Sequence, residues 1–244
     1  MLINDDCINV LKNIKTKSVD LILTDPPYGI SKKSNFNRTS DDKPKILKEK
    51  FNYTIDFGSW DNIDIDYDQL FSEFYRVLKK GGTLIIFYDI WKSNIIKEYA
   101  TKYKFKQPRI GQWIKTNPVP LNSSYNYLSN CSEFFFTFVK IEKPTFNSEY
   151  DNGIYNYPIC SRHERLGHPT QKPIELMSDL ILKHSNENDI VLDAFAGSGT
   201  VGHSCILNNR KYILIEKDIT YFKIWFSKYT LNKTNYPNYR KYIK

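Results

Sequence analysis

"DIVLDAFAGSGTVG", residues 189–202, is the stretch on which the fold turns. It opens on an apolar run of strand length, passes through a glycine-rich turn, and runs on as the helical "HSCILNN". Strand, glycine loop and helix in that order bring backbone N–H groups close to a ligand with no side chain in the way. The next strand, "YILIE", ends in Glu216. An acid at the tip of the strand after such a loop is placed to grip two ribose hydroxyls. Together these features point to an adenosine-containing cofactor. The loop reads as neither a dinucleotide-binding G-x-G-x-x-G turn nor a G-K-[ST] phosphate loop, an expectation that sets aside both NAD and ATP.

Upstream, apolar runs alternate with amphipathic segments. "INVLKNIK" reads as a short helix and "VDLILT" as the strand after it. "YDQLFSEFYRVLKK" places Leu70, Phe74, Val77 and Leu78 on one helical face, and Gly81 and Gly82 are expected to stop that helix before the strand "TLIIFY". A helix over 91–103, a strand over 109–115 and the aromatic strand "SEFFFTFVK", expected near the sheet edge, follow. Residues 141–168 read as irregular, and "PIELMSDLILKHS" as the helix before the glycine loop. Such alternation predicts an α/β chain: one domain over 1–244, doubly wound around a mostly parallel seven-stranded sheet.

A second polar corner matches the first. "LILTDPPYGIS", residues 21–31, ends a buried strand in an acid, two prolines and an aromatic. Ligands of open parallel sheets bind past the carboxyl ends of strands, where the winding reverses. If the strands ending in Asp25 and Asp193 are neighbours, both corners open into one crevice. Two prolines hold the backbone carbonyls in fixed directions, so Asp25 and the Pro26 carbonyl form two acceptors aimed at one –NH2 group. An exocyclic amine on a nucleobase has its lone pair delocalised into the ring. Acceptors on both hydrogens free that lone pair and stabilise developing positive charge. Tyr28 could stack on the base that carries the amine.

Composition sets the boundaries. The 244 residues are 41% hydrophobic and 15% aromatic, enough for one substantial core. No run approaches the ~18 apolar residues of a spanning helix and no basic stretch precedes an apolar one at the N-terminus, so a cytoplasmic address and no membrane partner are expected. Cys7, Cys131, Cys160 and Cys205 are scattered, which favours reduced thiols over disulfides or a metal centre. The net charge of +8 is concentrated between Lys32 and Lys50 and after Asp218, where no acid remains. Clustered cations suit a polyanion such as DNA or RNA, and an A+T-rich genome would enrich lysine as well.

With "TDPPYGI" and "DAFAGSGTVG" on the page, the chain resembles the exocyclic-amino DNA methyltransferases that use S-adenosylmethionine, in the circularly permuted β group of restriction-modification type. "DDCINVLKNIKTKSVDLILTDPPY", "WIKTNPVP" and "HPTQKPIELM" match further segments in order, so the likeness covers most of the chain. It implies a Rossmann-like class I methyltransferase fold. It implies catalysis by Asp25, Pro26, Pro27 and Tyr28, with Tyr28 stacked on a flipped base. The cofactor would be held by Asp6, Cys7, Asp25, Thr170, Lys172, Asp193, Phe195, Ala196, Gly197, Ser198, Gly199, Thr200, Glu216 and Lys217. Asp6 would meet the adenine, with Asp5 as a one-residue alternative, and Glu216 the ribose. Thr170 and Lys172 would lie near the methionine carboxylate, or Lys172 is a solvated helix cap. Asp193 either touches ligand or orients the loop.

The resemblance further implies N6-adenine methylation of double-stranded DNA, since cytosine enzymes of the family tend to carry Ser where Asp25 stands; N4-cytosine methylation on the same fold is the alternative. Methyl transfer to nitrogen is a direct displacement, and His163 and His168 are expected to be loop residues and not bases. A basic insertion over 31–60 and a small target-recognition region over 121–167 would meet DNA through Lys32, Lys33, Arg38, Arg162 and Arg165, each lysine more on phosphate than on bases. A cognate restriction endonuclease or a second copy of the chain stand as further partners.

Overall fold

The computed structural model describes residues 1–27, 65–118, 130–161, 165 and 170–230. The elements are β1 (Leu2–Asn4), α1 (Cys7–Asn13), β2 (Val19–Thr24), α2 (Tyr67–Val77), β3 (Leu78–Phe87), α3 (Ser93–Lys102), β4 (Lys106–Lys115), β5 (Ser132–Val139), β6 (Ile154–Tyr157), α4 (Ile174–His184), β7 (Ile190–Asp193), α5 (Thr200–Leu207), β8 (Lys211–Glu216) and α6 (Ile219–Thr230). Pro27–Asp64 separates as a second compact unit, of which Pro27 alone is described; the expected insertion over 31–60 lies outside the described residues.

All eight strands join one sheet in the order β1-β8-β7-β2-β3-β5-β4-β6. β5 runs antiparallel to both its neighbours and every other pairing is parallel. β7 is buried along its whole length and β2 at every position but Asp20, as expected of parallel strands covered on both faces. The core runs through Leu21, Ile22, Leu23, Phe71, Phe74, Phe87 and Ile213, none of them exposed to solvent. No helix among the described residues is long and apolar enough to cross a membrane. None of the four cysteines is in a disulfide, and Cys7, Cys160 and Cys205 are buried.

Three details depart from the sequence reading. The helix α2 ends at Val77, and Gly81 and Gly82 lie inside β3. There the ladder jumps, Val19 standing opposite Leu78 but Leu21 opposite Thr83. Gly81 takes φ +74° and donates to the carbonyls of Lys140 and Ile141 at 2.8 and 2.7 Å, so the glycines form a bulge and not a helix stop. Secondly, β5 is not an edge strand: β3 flanks it on one side and β4 on the other, and the edges are β1 and β6. Its rings fill both faces, with Phe135, Phe136 and Phe138 all buried. Thirdly, the sheet holds eight strands against the expected seven, and β1 and β6 are the two that the sequence reading does not name. "IYNY" in β6 is too short and polar to show a period, and pairing with Gln112–Lys115 makes it a strand.

The glycine loop is packed from below by Trp225 of α6, which is 1% exposed and donates Nε1–H to the Gly199 carbonyl at 3.1 Å. Gly199 has φ +75°, and a Cβ built there would lie 1.6 Å from Trp225 Cδ1. Gly199→Ala therefore combines a left-handed backbone with overpacking, a cost of about 3 kcal/mol. For a chain of this size the melting temperature of the cofactor-free protein is expected to fall by roughly 6–12 °C. An unchanged melting temperature would show that the ring moves aside freely.

Candidate active site

The neighbouring of β2 and β7 builds the site. Leu21 pairs with Val191 and Ile22 with Leu192, so the two strands end side by side. At that end Thr24 donates its hydroxyl to Asp193 Oδ1 at 2.8 Å, and receives the Ala194 N–H at 3.2 Å. Asp193 Oδ1 also accepts the Phe195 N–H at 3.1 Å. Asp193 is 3% exposed, and burial pushes its carboxyl up to about 7, helped by the charges of Asp25 and Glu216. Of the two roles expected for Asp193, these bonds describe the one that shapes the turn.

From the turn onward the backbone is held on both sides. Ala196 donates its N–H to the Ile215 carbonyl at 2.9 Å, and Gly197 donates to Glu216 Oε2 at 2.7 Å. Asp218 donates its N–H to the other oxygen, Oε1, at 2.7 Å. Burial raises the Glu216 carboxyl above the ordinary range, and these two donors work against that rise. Each oxygen keeps a second lone pair, so the carboxylate can still accept two hydroxyls. Ser198 and Thr200, both buried, share a hydrogen bond at 3.0 Å across the start of α5.

The edge strand β1 brings in the chain's beginning, with Asn4 in register with Glu216. Asp6 caps α1 by accepting the Ile8 N–H at 3.0 Å, and its other oxygen meets Lys217 Nζ at 3.1 Å. Its partial burial opposes ionisation, but Lys217 and the Ile8 N–H prevail and hold the carboxyl below its ordinary value. Asp5 turns instead toward Asn9, at 3.3 Å. Of the two aspartates it is Asp6 that stands beside the end of β8. Burial, with Asp6 adding its charge, pushes the Cys7 thiol up to about 12, which leaves it an inert core group.

Asp25 carries a contact that sequence reading left unresolved. Lys172, only 6% exposed, reaches from the segment before α4 to pair with Asp25 Oδ2, and its Nζ lies 3.1 Å from Glu133 Oε2 on β5. The ammonium also stands 5.1 Å from the centre of the Phe87 ring. Burial opposes the charge, yet the two carboxylates outweigh it and raise the lysine above its ordinary value. Lys172 is thus no solvated cap. Glu133 Oε1 in turn meets Lys115 of β4 at 2.8 Å. Neither Glu133 nor Lys115 is apparent as a site residue from sequence; the one usable sign is a lone acid inside an aromatic strand.

Pro26 is buried and Pro27 partly so. Thr170 lies at the head of the segment that carries Lys172. Arg165 folds back on its own loop, donating Nε–H to the Cys160 carbonyl at 3.3 Å. Tyr28, Lys32, Lys33, Arg38, Arg162, His163 and His168 lie outside the described residues, as does part of the region 121–167. No group of three or more metal-ligating side chains occurs among the described residues. Gly197, Gly199 and Gly202 do stand at G-x-G-x-x-G spacing, so loop spacing by itself does not exclude NAD. The choice of cofactor rests on the family.

Comparison with known proteins supplies that family. The DNA methylase model for N6 and N4 enzymes matches residues 19–227. Type II methyltransferase M.HinfI of Haemophilus influenzae is 29% identical over 91% of this chain, which spans 66% of that protein. DNA adenine methyltransferase YhdJ of Escherichia coli (strain K12) is 30% identical over 91% of this chain and 80% of its own length. Among solved structures, the M1.HpyAVI–SAM complex aligns with TM-score 0.67 and 26% identity, covering 93% of this chain and 98% of that one. The cytosine-N4-specific PvuII DNA methyltransferase shares the fold at TM-score 0.72 and 15% identity, over 96% of this chain and 87% of its own. The chain belongs to the N6/N4 DNA methylase family, whose members are S-adenosylmethionine-dependent DNA methyltransferases of restriction-modification type.

Proposed function

We propose that the chain methylates the N6 amine of a flipped-out adenine at a specific site in double-stranded DNA. One observation carries the reading: Asp25 and the glycine loop sit at the ends of paired strands, tied by the Thr24–Asp193 hydrogen bond. A methyl donor held by the loop and a base amine held at Asp25 then share one crevice. Bound S-adenosylmethionine supplies a methyl group on a sulfonium, ready for displacement by a nucleophile.

The chain's own groups bind and orient. Glu216 would accept the ribose hydroxyls with the lone pairs its two backbone donors leave over. Asp6, beside Lys217, is placed for the adenine edge. Asp25 and the Pro26 carbonyl would accept the two amine hydrogens, which localises the nitrogen lone pair and stabilises the charge that grows on it. Tyr28, next after Pro27 in sequence, would stack on the base. No covalent enzyme intermediate is needed, and buried Cys7, Cys160 and Cys205 are not placed to form one.

Adenine is favoured by the carboxylate at position 25, a stronger acceptor than the serine hydroxyl expected of cytosine enzymes. The name of the Escherichia coli relative specifies adenine, whereas that of the PvuII enzyme specifies N4 of cytosine. The same reading extends to DNA contact by Lys32, Lys33, Arg38, Arg162 and Arg165, and to a companion endonuclease that cuts the unmethylated sequence.

DNA methylated by the purified protein, digested to nucleosides and weighed by mass spectrometry, is expected to yield N6-methyladenosine in its deoxy form. N4-methylcytosine as the main product would overturn the adenine reading and leave the family assignment standing.

A further inference from the structure

Behind Asp25 runs a chain of alternating charge that the methyl-transfer reading does not use. Lys172 stands between Asp25 and Glu133, and Glu133 stands between Lys172 and Lys115. The side chains of the two lysines are 6% and 16% exposed, and those of Asp25 and Glu133 are 25% and 31% exposed. Lys115 also lies 5.2 Å from the centre of the Trp113 ring, and Trp113 is the residue opposite Glu133 in the β4–β5 ladder. Two ammonium groups therefore balance two carboxylates in a place where an unpaired charge would be costly.

One carboxylate would have been enough to neutralise Lys172. The second changes what the first can do. With Asp25 as its sole partner, a buried ammonium would place its full charge on that carboxylate and compete for its lone pairs. The carboxylate would then be a weaker acceptor for an incoming amine. With Glu133 at 3.1 Å on its other side, the ammonium divides its charge. It still fixes where the Asp25 carboxylate points, through Oδ2, yet leaves that carboxylate more of its negative charge. Lys115 pins the far oxygen of Glu133 at 2.8 Å and keeps the set neutral.

We propose that Glu133 is a positioning residue for methyl transfer: it holds Lys172 against Asp25 and takes up the share of ammonium charge that would otherwise quench Asp25 as an acceptor. The proposal rests on the reading of Asp25 as the group that receives the base amine. An ion network with a purely structural task would tie β5 and the segment before α4 to the end of β2, and its loss would weaken folding and cofactor binding together. A positioning role acts on the rate of transfer alone.

The test uses the full chain with S-adenosylmethionine labelled on its methyl group and a duplex containing the recognised site. Glu133→Gln retains the shape and removes the charge. The transfer rate is expected to fall about tenfold or more, with the dissociation constant for S-adenosylmethionine and the KM for DNA within about twofold of wild type. Glu133→Asp, which restores the charge, is expected to recover most of the rate. A Glu133→Gln rate within twofold of wild type overturns the proposal. So does an equal loss in both variants accompanied by weakened cofactor binding. Should Glu133→Gln fail to fold, the double variant Glu133→Gln with Lys115→Met removes the charge pair together and gives the same readout: a rate lowered about tenfold or more supports the proposal, and a rate within twofold of wild type overturns it. Asp25→Asn separates the two levels. Normal transfer by that variant defeats the reading of Asp25 itself, whereas an inactive Asp25→Asn beside a normal Glu133→Gln defeats only the role of Glu133.

Discussion

Everything at this site depends on the pairing of β2 with β7, two strands whose ends are 169 residues apart in sequence. The pairing is pinned at both ends by side chains of β2. Asp20 accepts the Ile190 N–H at 3.0 Å where β7 begins, and Thr24 donates to Asp193 at 2.8 Å where it ends. Each such bond contributes about 1 kcal/mol net, little beside the burial of the seven apolar side chains of the two strands, but burial is indifferent to register. A slip of one residue would turn every side chain of β2 to the other face and carry Asp25 away from the glycine loop. The polar pins make one register the stable one, and with it one crevice.

The electrostatics of that crevice follow from the same closeness. Asp25, Asp193 and Glu216 gather at the carboxyl ends of β2, β7 and β8, and each is given a different task by its partners. Asp193, buried and bonded to the Thr24 hydroxyl and the Phe195 N–H, is pushed toward neutrality and acts on the backbone. Glu216 is anchored by two backbone donors that fix its direction. Asp25 is met by a buried ammonium. A cationic methyl donor suits a pocket lined by acids, and the lysine keeps that pocket from repelling itself apart.

Most of this architecture was legible in the sequence wherever a residue type leaves few physical choices. Apolar runs ending in Asp25 and Asp193 read as strands, and the glycine turn read as a ligand loop because few other sequences let backbone come so close. The reading failed where tertiary context decides. Gly81 and Gly82 look like a helix stop until Lys140 and Ile141, just past the end of β5, are seen to supply the carbonyls that the Gly81 N–H meets. The aromatic β5 looks like an edge until β4 pairs along its far side. Lys172 could be taken for a solvated cap and Glu133 for a surface charge, since a lysine and an acid 39 positions apart declare no partnership until the chain folds. Tyr28 and the basic residues from Lys32 to Arg38 lie outside the described residues, and their part in DNA contact stands on sequence alone.

The central claim is a division of labour within one crevice, Glu216 serving the cofactor and Asp25 the base. Titration calorimetry with S-adenosylmethionine on Asp25→Ala and Glu216→Ala tests it directly, provided both variants melt as the wild type does. The account predicts that Asp25→Ala binds the cofactor within a few fold of wild type, while Glu216→Ala loses about 1.5–3 kcal/mol of binding, as expected for hydrogen bonds to a charged acceptor. Loss of cofactor affinity in Asp25→Ala, or an unchanged affinity in Glu216→Ala, would contradict it.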